Sequence, residues 1–290
     1  MLHGTLAAAV TPLCDGGAAL DEGAFAPLVQ YYKRSKVDGL LALGTTGEGI
    51  LLSTAERMRA AELFVKNSRE LDITQKLQIA VHCGAQSTVE TIALSRHALE
   101  IGADAVAVIG PPYFALDEEC LYQHFRAAAR ACVPIPFYAY EFRARAGYSL
   151  SVPLILRLRE RCANFAGLKV SNSKWEQFEP YLLPEMDIFV GPEALIQRGL
   201  RSGAKGVVSG LAAALPELIV AHAHNPTEAD SVKIGKIREA LSQLPFHAAL
   251  KTVLARRGVP IRADVRMPLR GMNPAETQQF EELLKTWKIL

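Results

Sequence analysis

A lysine, a tyrosine and a pair of threonines are the residues of this 290-residue chain whose types and placement can do chemistry. Lys169 closes Phe165-Ala-Gly-Leu-Lys169, which reads as a buried strand with the lysine at its carboxyl end. An ammonium there must be paired, bound to a ligand or lowered in pKa, and a desolvated neutral amine attacks ketones. Lys169 is therefore a Schiff-base candidate, with a lysine that snorkels to water as the plainer alternative. Tyr140 ends another strand and offers a phenol that can pass protons during carbinolamine dehydration and carbon–carbon cleavage. Tyr138 lies on the same strand face and competes for that role, and either ring can simply be packing. Thr45 and Thr46, in Gly44-Thr-Thr-Gly-Glu48, present two hydroxyls and unpaired backbone N–H groups, a cradle for a small carboxylate. The same stretch also reads as an ordinary turn, with Glu48 free to cap the next helix.

These residues need elements to bring them together. Short apolar runs alternate with amphipathic stretches, and eight strands are expected: Leu6–Val10, Gly39–Leu43, Leu77–Val81, Ala105–Ile109, Pro136–Tyr140, Phe165–Lys169, Asp187–Val190 and Gly206–Ser209. Their spacing of roughly 20 to 35 residues fits a strand plus a crossover helix each time. Ser53-Thr-Ala-Glu56 and Ser87-Thr-Val-Glu90 read as capping boxes. Eight such units without a Gly-rich dinucleotide fingerprint predict a (β/α)8 barrel over residues 1–225. Residues 226–290 are expected to form a C-terminal helical extension, from helices at 228–243, 246–257 and 274–287. In such barrels chemistry sits at the carboxyl ends of the strands, where the threonine loop, Tyr140, Lys169 and Glu193 all fall.

Composition narrows the class. A chain that is 50% hydrophobic and 21% charged can bury a large core, and a net charge of +2 with interspersed signs offers no polybasic run for a nucleic-acid backbone. The basic cluster Arg256, Arg257, Arg262 and Arg266 reads as a solvated face. Five scattered cysteines without C-x-x-C spacing argue against disulfides or a thiolate metal site and suit a reducing cytosol. No apolar run approaches membrane-spanning length, so no membrane partner is expected. His82, His222 and His224 form no metal-binding pattern.

Taken together, the loop, tyrosine and lysine resemble the class I pyruvate-dependent aldolases and lyases, the family of dihydrodipicolinate synthase and N-acetylneuraminate lyase. Gly44-Thr-Thr-Gly-Glu48 is similar to the family's pyruvate-carboxylate loop, and Gly167-Leu-Lys169 with Ser171 to its Schiff-base strand. Val81-His-Cys-Gly-Ala85 and Ile101-Gly-Ala-Asp-Ala-Val-Ala-Val-Ile109 are similar to its third and fourth strands. The resemblance spans essentially the whole chain and implies an eight-stranded barrel followed by helices, commonly in a homotetramer. It selects Tyr140, which precedes Gly147 by seven residues as the family's catalytic tyrosine precedes a glycine. It also implies that Thr46 bonds the tyrosine hydroxyl while Thr45 and the N–H groups through Gly47 hold the pyruvate carboxylate. Arg145, Glu193, Val208 and Ser209 fall at substrate-facing positions. A lysine–pyruvate imine implies no metal and no dissociable cofactor.

The departures bear on the substrate. The family's usual proline after the tyrosine is absent at Arg143, and Glu141 stands where a small or amide residue is common. Arg145 occupies the place of the arginine that receives a substrate carboxylate in the synthase, whereas Phe114 replaces a tyrosine of that enzyme's proton relay. Ala194 and Gly210 replace an acid and a serine that sialate lyases use for sugar hydroxyls. The expected reaction is aldol cleavage of a 2-keto-3-deoxy acid to pyruvate and an aldehyde. The alternatives are dihydrodipicolinate synthesis from pyruvate and aspartate semialdehyde, a dehydratase using the same imine, and a non-catalytic 2-oxo acid sensor.

Overall fold

The computed structural model describes residues 1–70 and 76–288. Eight parallel strands close a barrel: β1 (Gly4–Ala8), β2 (Gly39–Ala42), β3 (Gln78–His82), β4 (Ala105–Ile109), β5 (Phe137–Glu141), β6 (Phe165–Val170), β7 (Asp187–Val190) and β8 (Gly206–Ser209). Closure runs through β1 and β8, with Gly4 opposite Gly206 and Ala7 opposite Ser209. The expected (β/α)8 architecture is the one formed. The first strand begins two residues earlier than its apolar run suggested. Gly4 pairs with Gly206, while Ala9 and Val10 stay buried beyond the ladder.

The strands read as continuous apolar runs because both faces are covered. Inside, Leu6, Ala8, Leu41, Ala80, Ala107, Tyr138, Phe189 and Val208 fill the barrel, with alanines leaving room for the two rings. Outside, helices such as Phe25–Arg34 and Glu118–Ala131 lay apolar stripes on the sheet, burying Phe25, Leu28, Val29 and Tyr32 from the first and Leu121, Phe125 and Ala128 from the second.

Both anticipated capping serines accept from a backbone N–H three residues on. Glu56 reaches back to the Ser53 N–H at 2.9 Å and completes its box. Glu90 instead accepts the Thr54 hydroxyl at 2.7 Å, tying two neighbouring helices together. After Pro216–His224, which packs on β1 and β8, come Glu228–Ser242, Phe246–Arg256 and Pro274–Trp287. The first of these packs against the residues that follow β7, and so reaches the catalytic end of the barrel. The basic cluster is not a free solvated face: Arg256 pairs with Glu281, Arg257 with Glu217, Arg262 with Asp21 and Arg266 with Glu56. All five cysteines are free. No helix among the described residues is long and apolar enough to cross a membrane.

Candidate active site

The pairing of β5 with β6 carries an irregularity that sets the site. Phe137 opposes Phe165, but Tyr138 opposes Gly167, so Ala166 is skipped. That extra residue changes which side chains share a face from there on. Tyr140 is placed opposite Lys169; without the shift it would oppose Leu168, which points out to the helices. On its other side Gly167 permits the close approach of β6 to β7, since a Cβ there would run into the Asp187 carbonyl.

Lys169 is buried, at 8% exposure, with its Nζ 4.2 Å from the centroid of the Tyr140 ring. Among the described residues no carboxylate pairs with it, so the amine is held in the barrel mouth without a salt-bridge partner. His82 packs edge-on against Tyr140 at 6.0 Å between centroids. Burial, with help from the Arg57 and Lys169 charges, pushes its pKa down to about 3, which keeps this neighbour neutral. Tyr138 faces the same interior one layer deeper, where its hydroxyl accepts from the Leu2 N–H at 3.1 Å and donates to Asp187 at 3.0 Å. The amino end of the barrel therefore occupies Tyr138, and Tyr140 alone of the two lines the pocket.

The pocket has a volume of about 810 Å³. Thr45, Thr46, Tyr140, Lys169 and Val208 form its inner end, and Arg143, Arg145 and Arg238 line it further out. The threonine next to the phenol is not the one expected. The hydroxyl beside the Tyr140 phenol, at 3.4 Å, belongs to Thr45. The Thr46 hydroxyl has no partner among the described residues and lies toward Gly210. Adjacent residues of a bent loop project in different directions, and no sequence periodicity says which projects where. The loop also has a polarity. The Thr45 carbonyl accepts from His247 Nε2 at 3.0 Å and the Gly47 carbonyl from the Thr11 hydroxyl at 2.6 Å. The N–H groups of Thr45 and Thr46 have no partner among the described residues, so donors are left for an anion. Gly47 lies behind the pocket, where a Cβ would come within 2.9 Å of the Ala9 carbonyl.

Two further expectations change. Ser209 is fully buried outside the pocket lining, its hydroxyl donating to Glu193 at 2.7 Å and accepting from the Ala212 N–H at 3.1 Å. It braces the turn after β8 and is not placed to touch a ligand. Glu193 does line the pocket, yet one oxygen accepts from Ser209 and from the Leu211 N–H at 3.0 Å, and the other faces Arg238 Nε at 3.5 Å. Glu141 points away from the pocket, accepting from the Leu150 N–H at 2.7 Å and from Asn172 at 2.9 Å. Burial raises its pKa against those bonds. Arg145 lines the mouth as expected. The residues that the sequence reading missed come from beyond residue 226: Arg238, stacked 3.9 Å from the Phe246 centroid, and His247. The site is thus built from both sides of the 225/226 division. Lys251 gave a usable signal, since it falls between Ala248 and Leu254 on an otherwise apolar helix face.

The profile of the dihydrodipicolinate synthetase family matches residues 1–287. The chain belongs to this family. It is 29% identical to a 4-hydroxy-tetrahydrodipicolinate synthase of Hydrogenobaculum sp. over the full length of both chains. Among solved structures, it superimposes on a dihydrodipicolinate synthase from Acinetobacter baumannii complexed with pyruvate at a TM-score of 0.89 and 26% identity, covering 100% of both chains. An N-acetylneuraminate lyase from Proteus mirabilis gives 0.87 and 26%, covering 100% of this chain and 99% of that one. Family membership makes the protein a class I carbon–carbon lyase of the lysine Schiff-base type. Synthases and lyases stand at nearly equal similarity, so relatedness alone does not choose the substrate.

Proposed function

We propose that the enzyme cleaves a 2-keto-3-deoxy acid reversibly to pyruvate and an aldehyde, with Lys169 as the nucleophile. The observation that carries this reading is a buried lysine with no carboxylate partner among the described residues, set over the ring of a tyrosine whose hydroxyl meets Thr45. The amine attacks the 2-oxo carbon, and loss of water from the carbinolamine gives a protonated imine. Tyr140, through Thr45, passes the protons of that dehydration. Having given its proton to the departing hydroxide, Tyr140 is a phenolate, which takes the proton of the C4 hydroxyl as the C3–C4 bond breaks and its electron pair moves into the imine to give an enamine and an aldehyde. Protonation at C3 and hydrolysis release pyruvate and restore the lysine. Thr46 and the free N–H groups of the loop hold the substrate carboxylate, Val208 floors the pocket, and Arg145 receives the distal end. The imine is the electron sink, so the reaction calls for no metal or organic cofactor.

The distal wall supports members of this substrate class other than the sialic acids. Gly210 supplies no hydroxyl, Ala194 no acid, and both oxygens of Glu193 are already engaged. A polyhydroxylated ligand would lack the partners it needs. Release of pyruvate from a series of 2-keto-3-deoxy acids, followed with a coupled dehydrogenase, tests the reading. Turnover of at least one is expected, and binding without release from any would favour a sensor. Arg145 at the mouth also favours a second reading, the condensation of pyruvate with aspartate semialdehyde. Turnover of the semialdehyde faster than cleavage of any 2-keto-3-deoxy acid would put that reading first. We further propose a homotetramer, supported by Tyr113 and Phe114 standing 88% and 67% exposed in the loop after β4. Light scattering at the monomer mass would remove it.

A further inference from the structure

The threonine loop is held from outside the barrel. Glu48 does not cap the helix that follows, because Ser53 does so. Its carboxylate instead turns to the C-terminal region, where one oxygen accepts from Lys251 Nζ at 2.6 Å and the other from the Arg266 N–H at 2.7 Å. Lys251 donates also to the Asp264 carbonyl at 2.6 Å, and neither side chain of the pair is exposed at all. One helical turn earlier, His247 donates to the Thr45 carbonyl. Both contacts come from Phe246–Arg256, and they meet a loop bracketed by two residues with left-handed backbones, Leu43 at φ 61° and Glu48 at φ 58°. Non-glycine residues adopt that region only when their surroundings fix them there.

A sealed ion pair is a poor device for stability alone, since an apolar pair of similar volume commonly does as well. What it supplies is a fixed position. We propose that Lys251 and His247 are positioning residues, which hold the Gly44–Glu48 loop so that its free N–H groups converge on the carboxylate of the imine at Lys169. Through Thr45, the same clamp sets the distance from that loop to the Tyr140 phenol. The proposal rests on the Schiff-base reading above and assigns a role within that site to a helix of the C-terminal region.

Removing Lys251 alone strands a buried carboxylate and can unfold the protein, so the informative variant is Glu48→Gln with Lys251→Met. Its partner experiment compares His247→Ala with His247→Gln, in which an amide can still donate to the Thr45 carbonyl. The readout is the pyruvate concentration giving half-maximal borohydride trapping, measured beside the melting temperature. The double variant should melt within a few degrees of wild type yet need about tenfold more pyruvate, with turnover at saturating substrate changed far less. His247→Ala should shift the same way and His247→Gln should recover most of the loss. Unchanged half-saturation in the folded variants would overturn the proposal and leave the pair a structural element. Wild-type protein that traps no pyruvate would overturn the Schiff-base reading itself, and that control comes first.

Discussion

Two lysines are buried among the described residues of this chain, and the fold treats them in opposite ways. Lys251 is sealed from water, its ammonium matched by Glu48 and the Asp264 carbonyl, with no path to a ligand. Lys169 is nearly as buried but opens on the pocket, with an aromatic face for company and no carboxylate. Burial therefore does not by itself mark a reactive amine. The absence of a partner together with access to a cavity does, and the paired lysine serves to hold the loop that the unpaired one requires.

That contrast can be broken by substitution. Lys169→Ala should abolish pyruvate trapping and turnover while leaving the melting temperature close to that of wild type, because no ion pair is lost; residual trapping at another lysine would collapse the distinction. Tyr140→Phe should lower turnover about 10² to 10⁴-fold, the usual range for a positioned acid–base group, with a milder loss of pyruvate binding. Activity equal to wild type would remove the phenol from the proton path. Lys251→Met should do what Lys169→Ala does not, destabilising the fold by about 3–5 kcal/mol in denaturant titrations because Glu48 is left buried and unpaired. A change below about 1 kcal/mol would show that water reaches the pair. Arg145→Ala should raise KM about tenfold for substrates with a distal carboxylate and hardly at all for others. An equal effect on both kinds would return Arg145 to the surface.

The smallest effect is a pH dependence. Burial lowers the pKa of Lys251 below its ordinary 10.5, with Glu48 opposing the shift. Between the folded pKa and about 10.5 the unfolded chain binds more protons, so native stability should rise with pH in that window. Relative to the Glu48→Gln, Lys251→Met protein, which lacks both charges, the wild type should gain stability as pH climbs from the lowered Lys251 pKa toward 10.5. A flat difference would mean that the ion pair cancels the desolvation, and a falling one that it outweighs it.

The comparison also marks what was legible in the sequence. Lys169 could be read because it interrupts a strand at the end where barrels place their chemistry, and Tyr140 because one interval to Gly147 separated it from Tyr138. The barrel was legible because strands covered on both faces leave unbroken apolar runs. The order of Thr45 and Thr46 was not, since a loop has no period and the β5–β6 irregularity that aligns Tyr140 with Lys169 leaves no compositional mark. Ser209 and Glu193 were assigned as ligand contacts by the resemblance; Glu193 does line the pocket, but the polar atoms of the two satisfy each other and the backbone after β8. His247 and Arg238 lie on helices whose partners are set by tertiary docking; Lys251 stands out on an apolar helix face, but the face does not show what pairs with it.

The most direct test of the account is borohydride reduction in the presence of pyruvate, followed by peptide mass mapping. The account predicts a single reduced pyruvyl adduct on the peptide carrying Lys169 and none on the peptide carrying Lys251. An adduct on another lysine, or none in folded protein, would contradict it.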